Sequence, residues 1–168
     1  YDKAHLILKN YLAGKDRTYR GDAYLVLAHA HYGKNNFVEA QRYYRLARAG
    51  RLDDRAAICG EANVLVSLHN YDVALRLYNQ VLDMDPSYLP AYLGRAVALY
   101  GKKEYDEALL DFKKSESLIT DDKPYLADVF VSRGFAYYYT GKKELAARDF
   151  ETAIKLDLRG EYLFCLLA

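Results

Sequence analysis

The sequence predicts an all-α protein, an α-solenoid built from antiparallel helix pairs. Three observations predict it. Apolar residues recur at three- and four-residue intervals, the period of one helix face. Small residues return at a fixed distance: Ala40, Ala74 and Ala108 are 34 apart, and so are Ala28, Ala62 and Ala96. Each member of the first series precedes an aromatic ring by four residues (Tyr44, Tyr78, Phe112), while Tyr24, Ile58 and Tyr92 keep the same period. A step of 38 then carries these series onto Ala146, Gly134, Phe150 and Phe130.

Each period reads as two helices joined by a polar turn. First helices are expected around Asp22–Lys34, Ala56–Leu68, Leu89–Gly101 and Tyr125–Thr140. Second helices are expected around Phe37–Ala49, Tyr71–Met84, Tyr105–Ser117 and Lys143–Asp157. "MDPSY" at 84–88 is a helix end followed by a proline stop. In "TDDKP" at 120–124, Asp121 or Asp122 is positioned to cap the next helix, with Pro124 in its first turn. Four residues are inserted there, about one helical turn. "GKKE" occurs at Gly101 and at Gly141, but the small-residue series set these copies two residues out of register, so they are turn chemistry and not the repeat.

The spacing has a mechanical reason. In an antiparallel helix pair one residue number rises as the other falls, so facing residues share a constant sum. Ala28 then faces Ala40 and Tyr24 faces Tyr44, and the next two units keep the same relation. Small against small lets two helix axes approach to about 8–10 Å, and large residues fill the wider end.

Composition excludes several function classes. The formal charge is +1, with 24 basic and 23 acidic residues mixed along the chain, which gives no electrostatic footprint for nucleic acid. No stretch nears the roughly 20 apolar residues of a membrane span, and no signal peptide is visible. Cys59 and Cys165 lack the paired spacing of a zinc or redox motif and fit a reducing, cytoplasmic setting. The chain begins with Tyr1 and its sole methionine is Met84, so it reads as a piece of a longer protein.

A 34-residue helix–turn–helix unit with these small and aromatic positions resembles the tetratricopeptide repeat. "YDVALRLYNQVLDMDPSY" (71–88) and "YDEALLDF" (105–112) are similar to that family's second helix. The resemblance covers nearly the whole chain as one array, residues 1–168. Repeats fall at about 21–54, 55–88, 89–122 and 127–160. Residues 1–16 resemble the second helix of a preceding repeat, and 161–168 the start of a following one. The consensus leucine before the small residue is present as Leu27 but becomes Glu61, Arg95 and Arg133. By spacing, Arg95 pairs with Asp111 and Arg133 with Asp149.

The resemblance implies a right-handed superhelix whose first helices line a concave, partner-binding face. The inward positions are Leu25, Val26, His29, Cys59, Asn63, Leu93, Val97, Val131 and Phe135, with Tyr100 and Tyr138 at the far end. The family's carboxylate clamp for acidic tails would need Lys, Asn and Arg where this chain has Leu25, His29, Gly60, Pro90 and Gly94. Shifted by one repeat, only Asn63 matches. The lining is apolar and aromatic, which suits an amphipathic helix or an apolar peptide. The terminal half-repeats leave apolar edges and predict end-to-end self-association.

Two rival functions follow from the same residues. Tyr32, Tyr100, Tyr138 and Tyr139 would suit a carbohydrate- or polymer-binding module of an export apparatus, and the array would also serve as a regulatory module of a larger enzyme. The chain itself is not expected to be an enzyme. His29 and Cys59 are the sharpest chemical pair, yet the sequence offers no oxyanion hole, phosphate loop, paired carboxylates or metal cluster, so no cofactor and no metal is expected.

Overall fold

The computed structural model describes residues 20–49, 54–119 and 123–156. Eight α-helices and no strand occur among them. In chain order they are α1 (Arg20–Gly33), α2 (Phe37–Arg48), α3 (Arg55–Ser67), α4 (Tyr71–Met84), α5 (Leu89–Gly101), α6 (Tyr105–Leu118), α7 (Lys123–Tyr139) and α8 (Lys143–Leu156). Segments 1–16 and 161–168, and the capping role of Asp121 or Asp122, lie outside the described residues. The chain divides into two compact units, Tyr1–Asp83 and Met84–Ala168.

The four hairpin turns share one physical solution. Asn35, His69, Lys103 and Gly141 each take positive φ, at 56°, 58°, 66° and 77°. Around each, the next N–H reaches the carbonyl five residues back: Asn36 to His31, Asn70 to Leu65, Glu104 to Leu99 and Lys142 to Tyr137, at 2.8–2.9 Å. This is a Schellman motif, which satisfies carbonyls a helix end otherwise leaves bare. It also resolves the two GKKE copies. Gly141 is the left-handed residue of its turn, whereas in the earlier copy that role falls to Lys103, two residues after Gly101. A Cβ at Gly141 would meet nothing within 4 Å, so only backbone strain opposes one there. Gly141→Ala is expected to cost about 1–2 kcal/mol, and Lys103→Gly to be neutral or stabilising, in urea unfolding.

In the first unit Leu27, Ala28, Ala40, Tyr43, Tyr44 and Val64 form one buried cluster, with Tyr24, Leu25, Tyr32 and Phe37 packed against it. The facing alanines are fully buried, but the ring that stacks on Tyr24 is Tyr43, with centroids 6.1 Å apart. Tyr44 instead lies over Gly60 of α3, where a Cβ would come within 2.1 Å of the ring. In the second unit Ala96, Ala108, Leu109, Phe112, Val129, Ala136, Tyr137 and Ala146 form the cluster. Phe150 sits over Gly134 in the same manner, its nearest ring atom 2.6 Å from the position of a Cβ. The inserted residues extend a helix: α7 has 17 residues where α3 and α5 have 13.

Candidate partner-binding faces

In the first unit, α1 and α3 carry the expected lining. Val26 is 52% exposed, and His29 is exposed beside it. The His29 ring stands edge-on to Tyr44 at 5.4 Å, and its Nδ1 lies 2.9 Å from the Tyr44 hydroxyl. Partial cover of its ring, which stands against Tyr44, holds the His29 pKa below its ordinary value, and burial pushes the Tyr44 phenol up, which favours the neutral imidazole and the protonated phenol. Asn63 is half-buried, and its Oδ1 accepts from the Tyr78 hydroxyl at 2.5 Å, tying α3 to α4. The hydroxyls of Tyr32 and Ser67 meet at 3.1 Å and tie α1 to α3. Behind the aliphatic surface therefore lies an uncharged, hydrogen-bonded floor.

Cys59 is not on the accessible face: it is 5% exposed, and burial pushes its thiol up to about 12. The reactive form of cysteine is the thiolate, so this environment disfavours nucleophilic use. Leu25 packs into the core cluster and is half-buried. Among the described residues no group of three His, Cys, Asp or Glu is placed to hold a metal ion. No described helix is long and apolar enough to cross a membrane.

In the second unit, α5 and α7 carry the corresponding positions. Val97 is 39% exposed, whereas Leu93 packs against the core and Val131 is half-buried. Phe135 is half-buried with its ring edge-on to Phe150 at 5.1 Å. Tyr100 and Tyr138 do not stand alone. They form a cluster with Tyr105 and Tyr139, with centroids 5.2–6.1 Å apart along each contact. Tyr105 joins the cluster from the first residue of α6. A cleft of about 270 Å³ on the α6 side, lined by Leu109, Leu110, Tyr137, Lys113, Lys142, Asp106 and Glu107, has no counterpart in the sequence reading.

Ion pairs join the helices of both units. Arg95 grips Asp111 with two bonds of 2.7 Å, and Arg133 grips Asp149 at 2.7 and 2.8 Å, as spacing predicted. Arg133 also reaches Glu116 of α6. Glu61, which has no partner by hairpin spacing, is held from the preceding helix by Arg45 and Arg48, each at 2.8 Å. Its partners stand 16 and 13 residues before it, and a search for basic residues upstream would have found them.

Hairpins of this register, each unit presenting first helices with exposed aliphatics over a satisfied polar layer, define a helical-repeat scaffold. Two family models described as the tetratricopeptide repeat match residues 59–121 and 127–159. The chain belongs to the tetratricopeptide-repeat family, and its fold and family are those of protein–protein interaction scaffolds. It is 26% identical over 124 residues to the CTR9 homolog of Arabidopsis thaliana, covering 74% of this chain and 11% of that protein. It is 31% identical over 101 residues to small glutamine-rich tetratricopeptide repeat-containing protein 2 of Saccharomyces cerevisiae, covering 60% of this chain and 28% of that protein. The chain thus spans only a minor part of these relatives. Among solved structures, a MamA fragment from Desulfovibrio magneticus RS-1 superposes with TM-score 0.72 at 17% identity, over 95% of this chain and 87% of that one. YrrB superposes with TM-score 0.65 at 20% identity, over 99% of this chain and 81% of that one. At those identities the likeness is one of fold.

Proposed function

We propose that the first helices of each unit take an apolar or amphipathic peptide segment. The observation that carries this is a pair of exposed valines on first helices, Val26 on α1 and Val97 on α5. An exposed Val, Leu or Ile gains stability only when something covers it, about 25 cal/mol per Å² of apolar area removed from water. In the first unit, His29 and Asn63 add neutral polar groups beside that surface. These suit peptide groups better than carboxylates or phosphates, in keeping with a net charge of +1. Leu25, Leu93, Val131 and Phe135 shape the floor from half-buried positions. YrrB, of the same fold, is described as having an unusual peptide-binding site, which supports a peptide as the ligand class.

The test is selection of peptides from a displayed random library on the 168-residue chain. Selected peptides are expected to carry apolar anchors at helical or alternating spacing. Val26→Glu and Val97→Glu are expected to weaken them by about tenfold or more, since each such loss needs only about 1.4 kcal/mol. Leu110→Glu, at an exposed position on α6, is expected to leave them unchanged. Equal binding by all three variants would remove the assignment. Val26 and Val97 serve better here than Leu93 or Val131, whose burial confounds binding with folding.

A further inference from the structure

We propose that the tyrosine cluster at one end of the second unit seats a proline-rich segment in the polyproline II conformation. This goes beyond the segment taken by the first-helix valines: it concerns the ring cluster at the helix ends, where Tyr100 stands one turn beyond Val97 on α5. Tyr105 and Tyr139 lie nearly parallel, 10° apart with centroids at 5.2 Å, so each covers a face of the other. Tyr138 stands across Tyr139 at 81° and 5.6 Å. Tyr100 leans against both Tyr105 and Tyr139 at 56° and 54°. Inclined rings make notches, not a flat platform. Tyr138 and Tyr139 are 55% and 56% exposed, so the notch walls face solvent.

The arrangement is held in place by its own turns. Lys142 of the α7–α8 turn reaches Asp106 at the start of α6 at 3.2 Å, an exposed contact between the two hairpin ends that carry the rings. Lys102 pairs with Glu104 at 2.9 Å. The Schellman bonds from Lys103 to Tyr100 and from Gly141 to Tyr138 fix the backbone that carries two of the rings.

Three features select the occupant. A notch between inclined rings accepts a compact saturated ring such as pyrrolidine, and aromatic-lined grooves are the usual seats of such helices. Polyproline II makes no internal hydrogen bonds, so its carbonyls are free to accept from phenol hydroxyls, and its ordering entropy is already low. Burial and the neighbouring rings push the Tyr100 phenol up to about 12, and its hydroxyl is hydrogen-bonded to Tyr139 inside the cluster, which leaves Tyr138 as the exposed donor. Charge agrees. Lys102, Lys103, Lys142 and Lys143 at the two turns are matched by Glu104, Asp106, Glu107 and Glu144, so an uncharged ligand meets no net field and a polyanion gains nothing. A sugar ring would want an open ring face to stack on, and two of the faces here are spent on each other.

The experiment titrates the full chain into a fluorescein-labelled decaproline, with a Gly/Ser decamer and maltohexaose as the other arms. Saturable binding of decaproline alone is expected. Tyr138→Ala with Tyr139→Ala is expected to weaken it by about tenfold or more, and the paired Phe substitutions by a few-fold, because they keep the notch and lose the donors. Both side chains are mostly exposed, and a helical circular-dichroism spectrum with an unchanged melting profile confirms that the variants fold. Val26→Glu, in the first unit, is expected to leave decaproline binding intact while it weakens the library-selected peptides, which separates this site from the first-helix valine there. No saturable decaproline binding, equal binding by the double Ala variant, or binding of maltohexaose in its place would each overturn the proposal.

Discussion

Arg133→Met is expected to lower the stability of the second unit by about 3–5 kcal/mol, because it strands a buried carboxylate. Arg133 is 7% exposed and Asp149 6%, and the two share a two-pronged bond. The guanidinium also reaches Glu116 and lies over the Phe130 and Tyr137 rings, at 5.0 and 5.8 Å from their centroids. One side chain therefore ties α6, α7 and α8 together. The cost comes less from the lost attraction than from a carboxylate left dry without a counter-charge. Arg133→Met combined with Asp149→Leu is thus expected to recover most of the loss, since Glu116 is partly exposed and can rehydrate. Arg95→Met is expected to cost less, because the Arg95 side chain is 26% exposed. Urea unfolding followed by far-ultraviolet circular dichroism measures all four proteins. A loss below about 1 kcal/mol for Arg133→Met would place this pair with ordinary surface ion pairs.

Tyr44→Ala is expected to cost about 3–5 kcal/mol, the usual range for emptying an aromatic site in a core. Tyr44 is fully buried on α2, its hydroxyl meets His29 of α1, and its ring covers Gly60 of α3. The close fit makes a sharper prediction for the pair. Gly60→Ala alone would drive a methyl group into the ring, at an expected cost of about 1–3 kcal/mol. In the Tyr44→Ala background the same methyl enters vacated space, and the higher helix propensity of Ala is worth up to about 1 kcal/mol. Gly60→Ala is then expected to be neutral or stabilising. Such a change of sign between contacting sites is what a double-mutant cycle measures. Additive losses would mean that the ring does not rest on Gly60.

Most of the fold was legible because each hairpin is a local object. Helix ends fell within a few residues of expectation, since Schellman turns and proline stops write themselves into short stretches. The alanine pairs and the Arg95–Asp111 and Arg133–Asp149 pairs followed from index arithmetic within one hairpin. What escaped depends on contacts between successive hairpins. Tyr44 turns toward Gly60 of the next first helix, so Tyr24 stacks on Tyr43 instead. Glu61 takes its partners from α2, outside its own hairpin. Cys59 lies on a helix wedged among its neighbours, and periodicity alone placed it on the lining. The candidate faces were legible only as helix positions. Which positions stay open, Val26 and Val97 over Leu93 and Cys59, depends on how much neighbouring helices cover, and no single-helix pattern carries that.

The most direct test of the first-helix face as the partner surface is site-specific photo-crosslinking with a library-selected peptide. A benzophenone side chain is placed at Val97 on α5 in one sample and at Leu110 on α6 in another. Covalent capture from Val97, with little from Leu110, is the expected result. Capture from Leu110 and none from Val97 would show that the partner sits on the second helices, and would contradict the account.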